Sequence, residues 1–170
     1  MKLSLRPLSE FSSQAYLSNG SQVADVMEWI LDQVGVSDVI QTSFSISEEF
    51  LRRVFFLKAK GNIRRMSLLL DLKATNKTAK LWHFMSNVYD EVFLTSNHSK
   101  ILLISPLPKS GGVKHPDIVV VTSQNLTRGN RYESAVITTE PHICSELHSR
   151  IDYITENLSV PLNELLQETD

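Results

Sequence analysis

The sequence predicts a single α/β domain, and three features carry that expectation. Its 170 residues fall within the usual size of one domain and suffice to bury most of the apolar surface in one core. Through the first half, segments with apolar residues at helical spacing alternate with segments of strand character. No internal repeat and no long Pro-, Gly- and Ser-rich linker divides residues 1–170.

The elements follow in order. Residues 1–7 alternate polar and apolar and predict an opening strand, followed by a polar stretch that Asn19-Gly20-Ser21 punctuates. Val23, Val26, Met27, Ile30, Leu31 and Val34 form a helical stripe that Gly35 closes. Residues 38–46 read as a strand, and Ser45 with Glu48 has capping-box spacing before a helix carrying Phe50, Leu51, Val54 and Leu57. Residues 66–72 are a continuous apolar run, as in a central strand covered on both faces, and residues 76–88 predict another helix. From Glu91 the rhythm changes to strands over 92–95, 100–105, 118–122 and 132–138. Pro141 suits a first helical turn, and Ile143, Leu147, Ile151, Ile154 and Leu158 form the last long stripe, which Pro161 ends before a short tail helix from Leu162.

Composition narrows the function classes. Hydrophobic residues make up 42% and charged residues 21%, ordinary values for a soluble globular protein. Apolar runs are too short to cross a bilayer, so a cytoplasmic protein without membrane attachment is expected. A lone cysteine, Cys144, allows no intrachain disulfide and no multi-thiolate zinc site, which fits a reducing compartment. A formal net charge of −2 supplies no general attraction to polyanions, so phosphate binding has to come from a local group. Arg52, Arg53, Arg64 and Arg65 read as solvated surface charges; Lys100, Lys109, Lys114, Arg128 and Arg131 are the other basic group. The loop 106–116, with three prolines and two glycines, is expected to be mobile and to border the chemistry.

The informative segment is Asn97-His98-Ser99-Lys100, directly before the apolar run 101–104. In extended chain, residues i and i+2 share a face, so His98 and Lys100 would present an imidazole beside an ammonium. That pair suits a phosphate diester: the ammonium neutralises nonbridging oxygens, and a histidine near neutral pH can attack phosphorus or move a proton. A second strand, Val119-Val120-Val121, ends in Thr122-Ser123-Gln124-Asn125, small hydroxyl and amide side chains able to hydrogen bond an anion.

Taken together, these residues resemble the phospholipase D superfamily, in which a His-x-Lys strand precedes a strand ending in Gly-Ser-x-Asn and then an acidic residue on the next strand. His98, Lys100, Ser123, Asn125 and Glu133 match those positions in order over residues 91–138. The resemblance implies a mixed β-sheet with helices on both faces. It implies that His98 is a nucleophile forming a phosphohistidine, Lys100 and Asn125 bind phosphate, Ser123 assists and Glu133 orients the imidazole. Lys114 and Arg128 are expected to touch substrate, with no metal and no cofactor. Two positions depart from the pattern: Ser105 stands where the family has aspartate, and Thr122 where it has glycine.

Such chemistry needs a second acid for the leaving oxygen, and the chain has one His-x-Lys, so a homodimer is expected. Nucleic acid, DNA before RNA, is the expected substrate of an endonuclease-like phosphodiesterase. The competing reading is an inactive module of the same fold that binds nucleic acid or a protein partner. Among the remaining candidates, His83, His142 and His148 read as packing or surface residues, His115 as an accessory group, and Cys144, Trp29 and Trp82 as packing residues.

Overall fold

The computed structural model describes residues 4–76, 79–108, 112 and 114–167. In chain order its elements are β1 (Ser13–Ser18), α1 (Val23–Val34), β2 (Ser37–Ser43), α2 (Glu48–Ala59), β3 (Ile63–Asp71), α3 (Leu72–Asn76), a 3₁₀ turn (Ala79–Leu81), α4 (Trp82–Val88), β4 (Glu91–Thr95), β5 (Ile101–Pro106), β6 (Ile118–Thr122), β7 (Glu133–Thr138), α5 (Pro141–Asn157), β8 (Val160–Pro161) and α6 (Leu162–Gln167). The strands form one sheet in the order β1-β7-β6-β5-β2-β3-β4-β8. Strands β2, β3 and β4 are parallel, and the other pairings are antiparallel.

Strand alternation divides the core into two layers. Leu102, Ile104, Ile118 and Val120 join the buried cluster that α1, α2, α4 and α6 cover. Their sequence neighbours Leu103 and Val119 face the other way, onto Cys144 and Leu147 of α5. The sheet is thus mixed and carries helices on both faces, as the resemblance implied. Within the larger layer the Tyr89 hydroxyl donates to Gln41 Oε1 at 2.6 Å, so this buried pair is satisfied. Burial holds the Tyr89 hydroxyl well above its ordinary pKa.

Local signals explain the helix ends. The Asp25 carboxylate accepts from the Gln22 backbone N–H at 2.7 Å and caps α1, whose end is marked by Gly35 at φ 82°. Ser47, rather than Ser45, caps α2: its hydroxyl accepts from Phe50 N–H at 3.3 Å, while the Ser45 carbonyl takes a bond from the Ser43 hydroxyl.

Three sequence expectations shift. Residues 4–7 are irregular, and the first strand is Ser13–Ser18 because it pairs with β7 over six residues, a tertiary contact that local alternation does not reveal. Within the helix expected over 76–88 the described residues form a 3₁₀ turn and α4, and α3 lies before it: the Asp71 carboxylate accepts from Ala74 N–H at 2.8 Å and starts α3 directly at the end of β3. Pro161 does not simply end a helix: Val160–Pro161 pairs with β4 at the sheet edge, where proline is tolerated.

Candidate active site

Strand order places the motif. From β4 to β5 the chain must pass β3 and β2, because those two strands lie between them in the sheet. Residues 96–100 make this passage across the C-terminal ends of the parallel strands, and His98 sits in its middle, exposed. Lys100 Nζ lies 3.4 Å from His98 Nδ1 and donates to the His98 carbonyl oxygen at 2.9 Å. Phe44, just beyond β2, packs a tilted ring against the imidazole with centroids 5.1 Å apart.

The second motif arrives at the same edge because β6 runs antiparallel to β5, with Ile101 opposite Val121 and Thr122 N–H donating to the Lys100 carbonyl at 3.0 Å. Ser43 closes the group. Its hydroxyl lies 3.4 Å from Asn125 Oδ1 and accepts from Leu126 N–H at 3.1 Å, and its carbonyl accepts from the Asn97 amide at 3.0 Å. One residue at the end of β2 therefore ties the His98 segment to the Asn125 segment.

Glu133 opens β7 at this end too. Its carboxylate accepts the Ser123 hydroxyl proton in a short hydrogen bond, and Ser123 Oγ accepts from Ser134 N–H at 3.0 Å. A hydroxyl has one proton, so Ser123 holds the carboxylate rather than offering that proton to a ligand. Among the described residues, the hydrogen bonds of Glu133 and His98 do not join the two side chains. The Thr122 hydroxyl donates to the Ser134 carbonyl at 3.0 Å and accepts from Gln124 N–H at 3.1 Å, shaping the turn at the position of the family's glycine. The Tyr16 hydroxyl reaches Thr122, and burial, with Asp25 and Glu133 nearby, pushes its pKa up to about 12.

Lys114 is not part of this group. The segment it belongs to joins the far ends of β5 and β6, where Ile104 lies opposite Ile118, roughly 15 Å of strand from Lys100. The expectation that the loop borders the motif fails for this topological reason, and His115 instead lines an apolar cavity with Leu8, Val34 and Ile118. Lys109 lies outside the described residues. Arg128 is at the motif end and pairs with Glu49 in the first turn of α2, N to O 3.1 Å. Ser105 faces a groove of about 440 Å³ beside α5, in register with Asp38 of β2, whose carboxylate Arg64 engages with two nitrogens. The carboxylate at this level of the sheet is thus on the neighbouring strand.

Sequence reasoning missed Phe44, Ser43 and Asn97. Ser43 and Phe44 lie in the strand-like run 38–46, and Asn97 abuts His98, but nothing in their spacing reveals that the sheet ends bring them together.

No protein-family model and no curated protein matches the sequence. Solved structures do match. The phospholipase D family member Nuc from Salmonella typhimurium superposes with a TM-score of 0.62 at 15% identity, over 88% of this chain and 97% of that one. NucT from Helicobacter pylori gives 0.59 at 12% identity, over 86% and 98%. An archaeal chromatin protein, TrmBL2, described as showing a novel mode of DNA binding, gives 0.53 at 10% identity, over 87% and 54%. With the eight-stranded mixed sheet, the helices on both faces and the motif at one sheet edge, the fold of this chain is that of the phospholipase D superfamily.

Proposed function

We propose that the chain is a metal-independent phosphodiesterase that cleaves nucleic acid, DNA in the first instance, at a site completed by a second copy of itself. The carrying observation is the convergence of His98, Lys100, Asn125, Ser123 and Glu133 on one sheet edge, with the imidazole exposed beside the ammonium. The likeness to Nuc and NucT supports the class of chemistry, and the likeness to a DNA-binding chromatin protein supports the ligand.

In this reading the phosphate draws the Lys100 ammonium off Nδ1 onto its nonbridging oxygens. With its proton on Nδ1, His98 then attacks phosphorus through Nε2, the phosphorus–oxygen bond to the leaving strand breaks, and the leaving oxygen takes a proton from a second imidazole. Water gives one proton back to that second imidazole as it attacks the phosphohistidine, and the first imidazole leaves. Asn125 binds a phosphate oxygen, Glu133 orients an imidazole, and Arg128 contacts the flanking backbone.

A second copy has a surface to occupy. Val121 and Val136 are cross-strand neighbours, Leu17 lies diagonally beside them, and the three are 45%, 50% and 64% exposed on the α5 side of the sheet. This apolar strip begins two residues from Ser123 on β6 and three from Glu133 on β7, so covering it with its own two-fold mate would bring the two motif edges together.

The absence of a hydrogen bond between His98 and Glu133 within one chain, with Ser105 and Thr122, favours a second reading: a nucleic-acid-binding module without catalysis. Incubating the protein with plasmid and single-stranded DNA in EDTA, against a His98→Ala control, separates the two. Cleavage by the wild type alone supports the enzyme; binding without cleavage supports the module.

A further inference from the structure

We propose that Asn97 is the positioning residue that fixes His98 over the sheet edge. The role rests on reading His98 as the nucleophile, but its structural basis is independent. Asn97 is only 9% exposed, and its side chain uses its full hydrogen-bonding capacity. The amide nitrogen donates to the Ser43 carbonyl at 3.0 Å and to the Leu69 carbonyl at 3.3 Å. The amide oxygen accepts from Ser99 N–H at 3.1 Å and from the Ser99 hydroxyl at 2.6 Å.

Those four bonds solve a specific problem. The passage from β4 to β5 lacks regular structure, so its backbone and side chains have to find partners outside a ladder. Asn97 takes the carbonyl of Ser43, the last residue of β2, and that of Leu69, two residues before the end of β3, while its own N–H is held by Asp71 Oδ2 at 3.1 Å. On the far side of His98, Ser99 Oγ lies 2.7 Å from the Thr42 hydroxyl, which can donate to it, and Thr42 Oγ1 accepts from Ile101 N–H at 3.0 Å. His98 therefore stands between a buried anchor, Asn97, and a half-buried one, Ser99, and its ring is left to project outward against Phe44. Asparagine suits the position where aspartate does not: an aspartate of the same shape would set a carboxylate oxygen against two carbonyls in a buried site.

Asn97→Asp tests this on the full-length protein. The readouts are far-UV circular dichroism and nuclear Overhauser contacts between the Phe44 and His98 rings. The expected result is a folded protein that loses the ring contacts. On any DNA the wild type cleaves, kcat should fall at least tenfold with KM within twofold. Ring contacts unchanged in folded Asn97→Asp would overturn the proposal. Should that variant not fold, Ser99→Ala decides: it keeps both Asn97 donor bonds, so weakened but detectable ring contacts support the role and wild-type behaviour overturns it. Because these spectroscopic readouts need no activity, a wild type that cleaves nothing contradicts the proposed function and leaves this inference to the ring contacts.

Discussion

Ser123 donates its single hydroxyl proton to Glu133, so within one chain the carboxylate that would orient an imidazole is held by a serine ten residues earlier. The pair separates charge from hydrogen bonding. Glu133→Gln keeps an amide oxygen for Ser123 but removes the negative charge. If the charge steadies an imidazolium during the reaction, this variant should cleave DNA about a hundredfold or more slowly with an unchanged melting temperature. Equal rates would limit Glu133 to a structural bond.

Opposite ends of the sheet make Lys114 and Arg128 unequal. Lys114→Ala should leave DNA affinity unchanged, since the residue sits at the far end of β5 and β6. Arg128→Ala should weaken binding and reduce the salt slope of log K by about one, as expected for one lost phosphate contact. Titration of DNA at several salt concentrations measures both. An effect of Lys114→Ala equal to that of Arg128→Ala would refute the placement of the ligand at the His98 edge.

The exposed strip of Leu17, Val121 and Val136 predicts a dimer that one charge can break. Val121→Asp should sediment as a monomer and lose cleavage, because it buries a carboxylate in an apolar interface without a partner. In the monomer the residue is 45% exposed, so its melting curve at low concentration should change little. A monomeric wild type that cleaves at full rate would remove the shared site.

Alkaline titration reads the environment next to Glu133. Burial raises the Tyr16 pKa to about 12, above the unfolded value near 10. Above pH 10 the unfolded chain has lost a proton that the folded chain keeps, so stability should fall as pH rises from 10 toward 12. Tyr89, shifted in the same direction, contributes to the fall. Tyr16→Phe should reduce it, and a urea-melt series with an unchanged alkaline slope would contradict the burial of this hydroxyl.

How much was legible follows from the range over which each signal acts. The stripe Val23 to Val34 and the run 118–122 carry their own periodicity, and both became the expected elements. His98, Lys100, Ser123, Asn125 and Glu133 were visible as a pattern along the chain, and their meeting at one edge depends on β5 and β6 being antiparallel. That same pairing sends the loop after Pro106 to the other end, which proximity in sequence to the motif strands concealed. β1 was missed because Ser13–Ser18 becomes a strand only through its partner β7, 115 or more residues away. Asn97 looked like a polar residue beside the motif, and only the arrangement of β2 and β3 shows that it takes a carbonyl from each of the two strands.

A covalent bond between His98 and phosphorus can be trapped by rapid acid-free quenching of the protein with DNA in EDTA, followed by peptide mass analysis. A nucleotide adduct, labile to acid, is expected on the peptide carrying His98 in the wild type, with neither adduct nor cleavage in His98→Ala. Cleavage persisting at the wild-type rate in His98→Ala, with no adduct on that peptide, would contradict that bond.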